Sequence, residues 1–142
     1  MYTLFDSPAS ATRLGCWSRP LGRYSEVIGY SHLGSLFLKD PAKSEYVVLH
    51  PLLHGNNAKA YGSFSSTKAF EDAVLKDSGF VARFLRPDDL RSLRERLGEL
   101  SPNDVYYPVP FPCVGGSGAL STFEKGDVWV FADVLGQILG VH

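Results

Sequence analysis

The chain has 142 residues, 44% of them hydrophobic and 20% charged, with 14 Lys and Arg against 15 Asp and Glu. This length suits one domain, residues 1–142, able to bury roughly 70% of its unfolded surface. A net charge of −1 argues against a dedicated nucleic-acid binder, which would show a basic excess or stripe.

Other classes are excluded by local composition. The amino terminus has Asp6, Pro8 and Ser10 where a signal peptide needs an apolar core. The longest uncharged run, Val105 to Phe123, contains Pro108, Pro110, Pro112 and three glycines. Such a run cannot cross a membrane as a helix with its backbone groups satisfied. Cys16 and Cys113 lie far apart and share no metal-like spacing, which reads as two reduced thiols. The expectation is a soluble, cytoplasmic protein.

In chain order, residues 1–20 read as an amino-terminal lead. Tyr2, Leu4 and Phe5 either form a short strand or pack onto the body, and Trp17 is the anchor. Residues 21–142 form the main body, centred on a β-meander from Val27 to Pro51. A first strand ends at Val27 and Ile28, and a polar turn follows between Gly29 and Gly34. Leu36 and Leu38 then share one face with Phe37 opposite, and Val47 and Leu49 share one face with Tyr46 and Val48 opposite. Asp40-Pro41 sets the turn between these two strands. With both faces apolar, helices should cover both sides of the sheet.

The stretch after Pro51, LLHGNNAKAYGS, reads as a loop. Ser65, Ser66 and Thr67 offer a helix cap, and Phe70, Ala73 and Val74 form an apolar stripe that Gly79 ends or interrupts. Pro87, Asp88 and Asp89 open a second helix, Leu90, Leu93 and Leu97 line its buried side, and Gly98 stops it. Its charged side reads as a solvated face with an Arg91–Glu95 pair, or else as a partner patch. Ser101–Asp104 is a turn, Val105–Tyr107 a short strand, and the prolines after it an edge or polyproline-like run. The last element, Asp127 to Leu139, reads as a helix capped by Asp127 and carrying Val128, Phe131, Leu135 and Ile138, although VWVF alone would suit a strand. The fold class is α+β, a mostly antiparallel sheet of about four to six strands with three or four packed helices.

No catalytic constellation is complete. His50 and His54 have a ligand-like spacing, but they flank a loop and lack an adjacent acidic third ligand. Gly115-Gly116-Ser117-Gly118-Ala119, with Asp133 and His142 after it, is one residue short of a nucleophile elbow. Cys113 has no histidine base near it in sequence. No enzyme activity, cofactor or metal is expected.

Four segments together carry a resemblance: Gly29–Asp40 (GYSHLGSLFLKD), Tyr46–Leu52, Leu100–Gly116 and Lys125–Gly140. In this order they resemble the carboxy-terminal domain of immunity proteins that neutralise type VI secretion DNase effectors, near the GAD-like domains. The resemblance implies a cytoplasmic protein that binds a cognate toxin and does no chemistry of its own. A scaffold of the same fold without an immunity role is the alternative. Binding needs aromatic or arginine anchors, for which Tyr106, Tyr107, Phe111, Arg91 and Arg94 are the candidates. A basic nuclease surface would be steered by acids, and the tail from Ser101 carries Asp104, Glu124, Asp127 and Asp133 against Lys125 alone. The expected partner-binding residues are Asp104, Tyr106, Tyr107, Phe111 and Glu124, with no direct contact to nucleic acid or membrane.

Overall fold

Alternation along the meander decides the architecture, and the computed structural model describes it for residues 1–53 and 55–141. Strands β1 (Tyr2–Ser10), β2 (Glu26–Ser31), β3 (Leu36–Asp40), β4 (Glu45–Leu49) and β5 (Ala58–Ser63) form one antiparallel sheet in sequential order. Leu36 pairs with Leu49, Phe37 with Val48 and Leu38 with Val47. Leu36, Leu38, Val47 and Leu49 therefore enter one apolar cluster, while Phe37, Tyr46 and Val48 enter another on the opposite face. The fold is α+β.

Both faces are covered. On the first lie the 3-10 segment Ala11–Trp17, the short α1 (Ser18–Leu21) and α5 (Val128–Ile138). On the second lie α2 (Thr67–Phe70), continued by a π-type turn Glu71–Leu75, and α3 (Ser78–Phe80), continued by Val81–Leu85. Phe70 stacks on Tyr46 with ring centroids 4.7 Å apart. A third cluster joins Leu33 to Leu90 and Leu93 of α4 (Pro87–Leu97). It includes Tyr106 and Phe123 of a separate two-stranded ladder, β6 (Asp104–Pro108) and β7 (Phe123–Asp127). No helix among the described residues is long and apolar enough to cross a membrane.

The Asp40 turn forms as its chemistry requires. Asp40 Oδ1 accepts from Ala42 N at 2.9 Å, and Arg23 bridges Asp40 and Glu45 at 3.3 and 2.7 Å. The preceding turn differs from expectation. β2 runs on through Ser31, so Gly29 lies inside a strand and the reversal falls at His32–Ser35. A Cβ on Gly29 would sit 2.3 Å from the Thr3 carbonyl oxygen. The residue is glycine because β1 passes that close, not because a turn needs it.

Three strands escape the sequence pattern. β5 lies within the stretch read as a loop, β7 within a stretch given no strand, and β1 spans nine residues where three apolar ones suggested a fragment. β5 is an edge strand with every residue exposed or half-exposed, so burial imposes no period on it. Its pairing with β4 makes the strand. β1 pairs with β2 at both ends across an irregularity between Leu4 and Ala9, which breaks its alternation.

The helices follow their caps. Pro87 opens α4, Asp88 and Asp89 occupy its first turn, and Gly98 closes it at φ +86°. The Arg91–Glu95 pair is not formed: Arg91 reaches back to Asp88 at 3.4 Å, and Arg94 takes Glu99 at 3.4 Å. Ser66 caps α2 through Ala69 N at 3.0 Å. The break before α3 falls at Asp77, which caps it through Phe80 N at 3.1 Å, and Gly79 lies within the helix. Asp127 Oδ1 accepts from Trp129 N at 2.9 Å and Val130 N at 3.0 Å. Asp127→Ala is expected to lower stability by about 1 kcal/mol and Asp127→Asn by a few tenths. Urea denaturation of the two variants checks this, and equal losses would show that the cap does not act.

Candidate functional site

The β6–β7 ladder pairs Asp104 with Asp127, Val105 with Gly126, Tyr106 with Lys125 and Tyr107 with Glu124. Alternation then divides the two adjacent tyrosines. Tyr107 joins the first cluster beside α5, stacked on Phe131 with centroids 5.3 Å apart. It lies close over Gly126, where a Cβ would come within 2.7 Å of its hydroxyl oxygen. Phe111 meets Phe131 edge-on at 5.9 Å and Tyr107 at 6.1 Å. Tyr107 and Phe111 are half-buried, Glu124 is exposed and Asp104 half-exposed. Burial raises the Tyr107 pKa, and the charges of Glu124 and Asp104 add to the effect. The structure therefore brings Tyr107 together with Phe111, with Glu124 opposite Tyr107 on the ladder and Asp104 near enough for its charge to act on Tyr107.

Tyr106 stands apart. It is only 2% exposed, and its hydroxyl donates to the Gly98 carbonyl at 2.6 Å. It packs between the hairpin and α4 and does not reach the surface. The acidic tail is also smaller than its sequence suggests. Asp127 is the α5 cap, and Asp133 accepts from Cys16 N and from Gln137 Nε2, both at 3.0 Å. These bonds, the Cys16 backbone first, hold the Asp133 pKa below the usual carboxylate value. Asp104 and Glu124 form no ion pair among the described residues, and Lys125 of β7 donates to the Glu99 carbonyl at 3.3 Å.

A larger feature adjoins them. Val130, Val134 and Ile138 are 62%, 42% and 46% exposed and stand at i, i+4 and i+8, a continuous ridge along α5. Sequence reasoning put Ile138 in the buried stripe, where Val128, Phe131 and Leu135 do lie. Phe131 is three residues before Val134, so the ridge borders the Tyr107–Phe111–Phe131 cluster. Val109 and Val114 are also exposed. Six large hydrophobic side chains are exposed among the described residues, and all but Met1 lie between positions 109 and 138. A signal was present in the sequence. VWVFADVLGQIL is apolar nearly all round, while a helix resting on one side of a sheet needs only one apolar stripe.

The remaining constellations stay apart. His54 and His142 lie outside the described residues. Cys113 is exposed, and the cavities lined by His50 include neither Cys113 nor Ser117. No group of three or more His, Cys, Asp or Glu could hold a metal among the described residues. Arg91 and Arg94 project from α4 as exposed, paired side chains.

A family model described as the C-terminal part of the type VI secretion (T6SS) immunity protein Tdi1 matches residues 65–139. The match runs from the cap of α2 through α5 and takes in the whole hairpin and helix surface. No curated protein matches the chain. Among solved structures, that of Atu4351 from Agrobacterium tumefaciens is similar at a TM-score of 0.64 and 13% identity, over 96% of this chain. This chain spans 66% of that protein's length, and the likeness is one of fold.

Proposed function

Because the chain belongs to the family of type VI secretion immunity proteins defined by the Tdi1 C-terminal region, we propose that it neutralises a cognate secreted toxin, a nuclease, by direct and tight binding. The observation that carries the contact surface is the gathering of exposed apolar side chains on α5 and its hairpin. A soluble chain that leaves a valine-isoleucine ridge bare beside half-buried aromatics has the anatomy of an interface, an apolar centre with a polar rim. Asp104 and Glu124 form part of that rim, where acids speed encounter with a basic nuclease surface. The protein acts in the cytoplasm, touches no nucleic acid itself and needs no cofactor.

The test is a titration against the toxin encoded beside this chain's gene, with growth rescue in parallel. Val134→Asp is expected to weaken binding by about 2 kcal/mol or more, roughly thirtyfold in Kd, and to lose rescue. Its melting temperature should stay near that of the parent, since the side chain is exposed. The double variant Asp104→Lys, Glu124→Lys is expected to slow association and flatten its salt dependence. Parent-like binding and rescue by Val130→Asp and Val134→Asp together would refute this surface.

A further inference from the structure

On the opposite side of the sheet, at the end of β4, His50 is held in a way that its neighbours do not explain. It is 3% exposed, with Phe84 stacked on its ring at 4.0 Å. Its Nδ1 lies 2.7 Å from the hydroxyl of Ser35, itself buried. Its Nε2 is shut off from solvent and has no hydrogen-bond partner among the described residues. A buried polar atom without a partner is costly and rare. With the Ser35 hydroxyl donating to Nδ1, the neutral ring carries its proton on Nε2, which is then a donor with nothing to donate to.

The ring lines two cavities of about 660 and 150 Å³ that share Leu53, Arg83 and Phe84. The larger is also lined by Lys59 and Asn56, the smaller by Ser35 and Arg86. Among the described residues, no carboxylate lines either one. Arg86 is taken by Asp89 at 2.7 Å. Arg83 and Lys59 form no ion pair among the described residues. Arg83 lies over the Phe84 ring at 5.0 Å and Lys59 over Tyr61 at 5.3 Å. Asp77, the acid that shares a neighbouring cavity with them, is committed to capping α3. Two cations with no ion pair among the described residues thus line the cavity of a buried ring nitrogen that has no partner among them. That nitrogen is a donor when Ser35 donates to Nδ1.

We propose that this pocket binds a compact oxyanion, a carboxylate or a phosphate, held by Arg83 and Lys59 and by the His50 Nε2–H. The planar guanidinium suits a two-point contact with either group, and lysine adds a point charge. Arg83 and Lys59 are exposed and meet the anion first. The half-buried Phe84 ring must swing aside for it to reach the imidazole. The site shares no residue with the α5 ridge, so it stands or falls independently of toxin binding.

The experiment is a 1H–15N NMR titration of the full chain, following the His50 ring nitrogens and the Arg83 guanidinium. Sodium phosphate and sodium acetate are separate arms, and sodium chloride at matched ionic strength is the control. Saturable shifts of both groups are expected in at least one arm, and the stronger arm names the anion. Arg83→Gln is expected to weaken that binding at least about tenfold and Lys59→Gln several-fold, without changing the rest of the spectrum. Shifts that merely follow ionic strength, as in chloride, would overturn the site. So would unchanged affinity in Arg83→Gln.

Discussion

Replacing Trp17 with alanine is expected to destabilise the protein by roughly 3–5 kcal/mol, lowering its melting temperature by about 10–15 °C. Trp17 is 5% exposed and lies in the first cluster with Leu14, Leu135 and Ala132. Its indole N–H donates to the Ala132 carbonyl at 2.7 Å, a bond joining positions 115 apart. The fit is tight from the other side as well. A Cβ on Gly136 would fall 2.5 Å from the indole nitrogen and 2.6 Å from the Cys16 sulfur. Alanine at 17 therefore leaves a cavity at the seam between the amino-terminal segment and α5. Trp17→Phe keeps most of the ring volume and loses the hydrogen bond, so its cost should be nearer 1–2 kcal/mol. Thermal and urea denaturation of the two variants provide the check. A loss below about 1 kcal/mol for Trp17→Ala would mean that the seam does not stabilise the fold.

Acid is expected to weaken the fold through the buried imidazole of His50 and the half-buried one of His32. Burial first, then the charges of Arg83 and Lys59, lower the His50 pKa from 6.5 to about 4. Burial, the amino terminus and Arg94 do the same to His32, also to about 4. The unfolded chain takes up these protons near pH 6.5, before the folded one does. Stability is therefore complete above pH 6.5 and falls as the pH drops toward 4. His50 accounts for roughly 2–3 kcal/mol of that loss, and half-buried His32 for less. Urea midpoints measured across this window should fall for the parent and fall less for His50→Gln. A parent curve that stays flat down to pH 5 would show that neither ring is held neutral by the fold.

How much of this was legible depended on whether burial imposes a period on the residues concerned. α4 could be read almost residue by residue because its start, stripe and stop are local chemistry: Pro87, then Leu90 and Leu93, then Gly98. The faces of β3 and β4 were legible because both sides of those strands are buried. β5 and β7 were not, since AKAYGS and FEKGD become strands through pairing with β4 and β6. At the candidate surface, Tyr106 and Tyr107 are alike in sequence, and only their register on the ladder sends one inward. The Val130–Val134–Ile138 ridge went unread because the sequence pattern groups Ile138 with Val128, Phe131 and Leu135, whereas it stands exposed with Val130 and Val134. The orphaned His50 nitrogen belongs to a set of contacts among Ser35 just before β3, His50 just after β4 and Phe84 of the Val81–Leu85 segment, which no local pattern announces.

The connectivity of the sheet has a kinetic consequence. Each of its strands pairs with its neighbour in sequence, so the meander closes only short loops, whereas the Trp17–α5 seam joins positions 115 apart. Short-range ladders form early, and contacts that join the ends of a chain wait for the rest. The sheet should therefore condense first and the seam last. During synthesis the amino-terminal segment would keep Trp17 uncovered until α5 emerged from the ribosome and docked. The same docking step raises the valine ridge on the far side of α5. A nascent chain halted short of that helix would own a sheet but no valine ridge, so the ridge would be acquired in one step, when α5 docks.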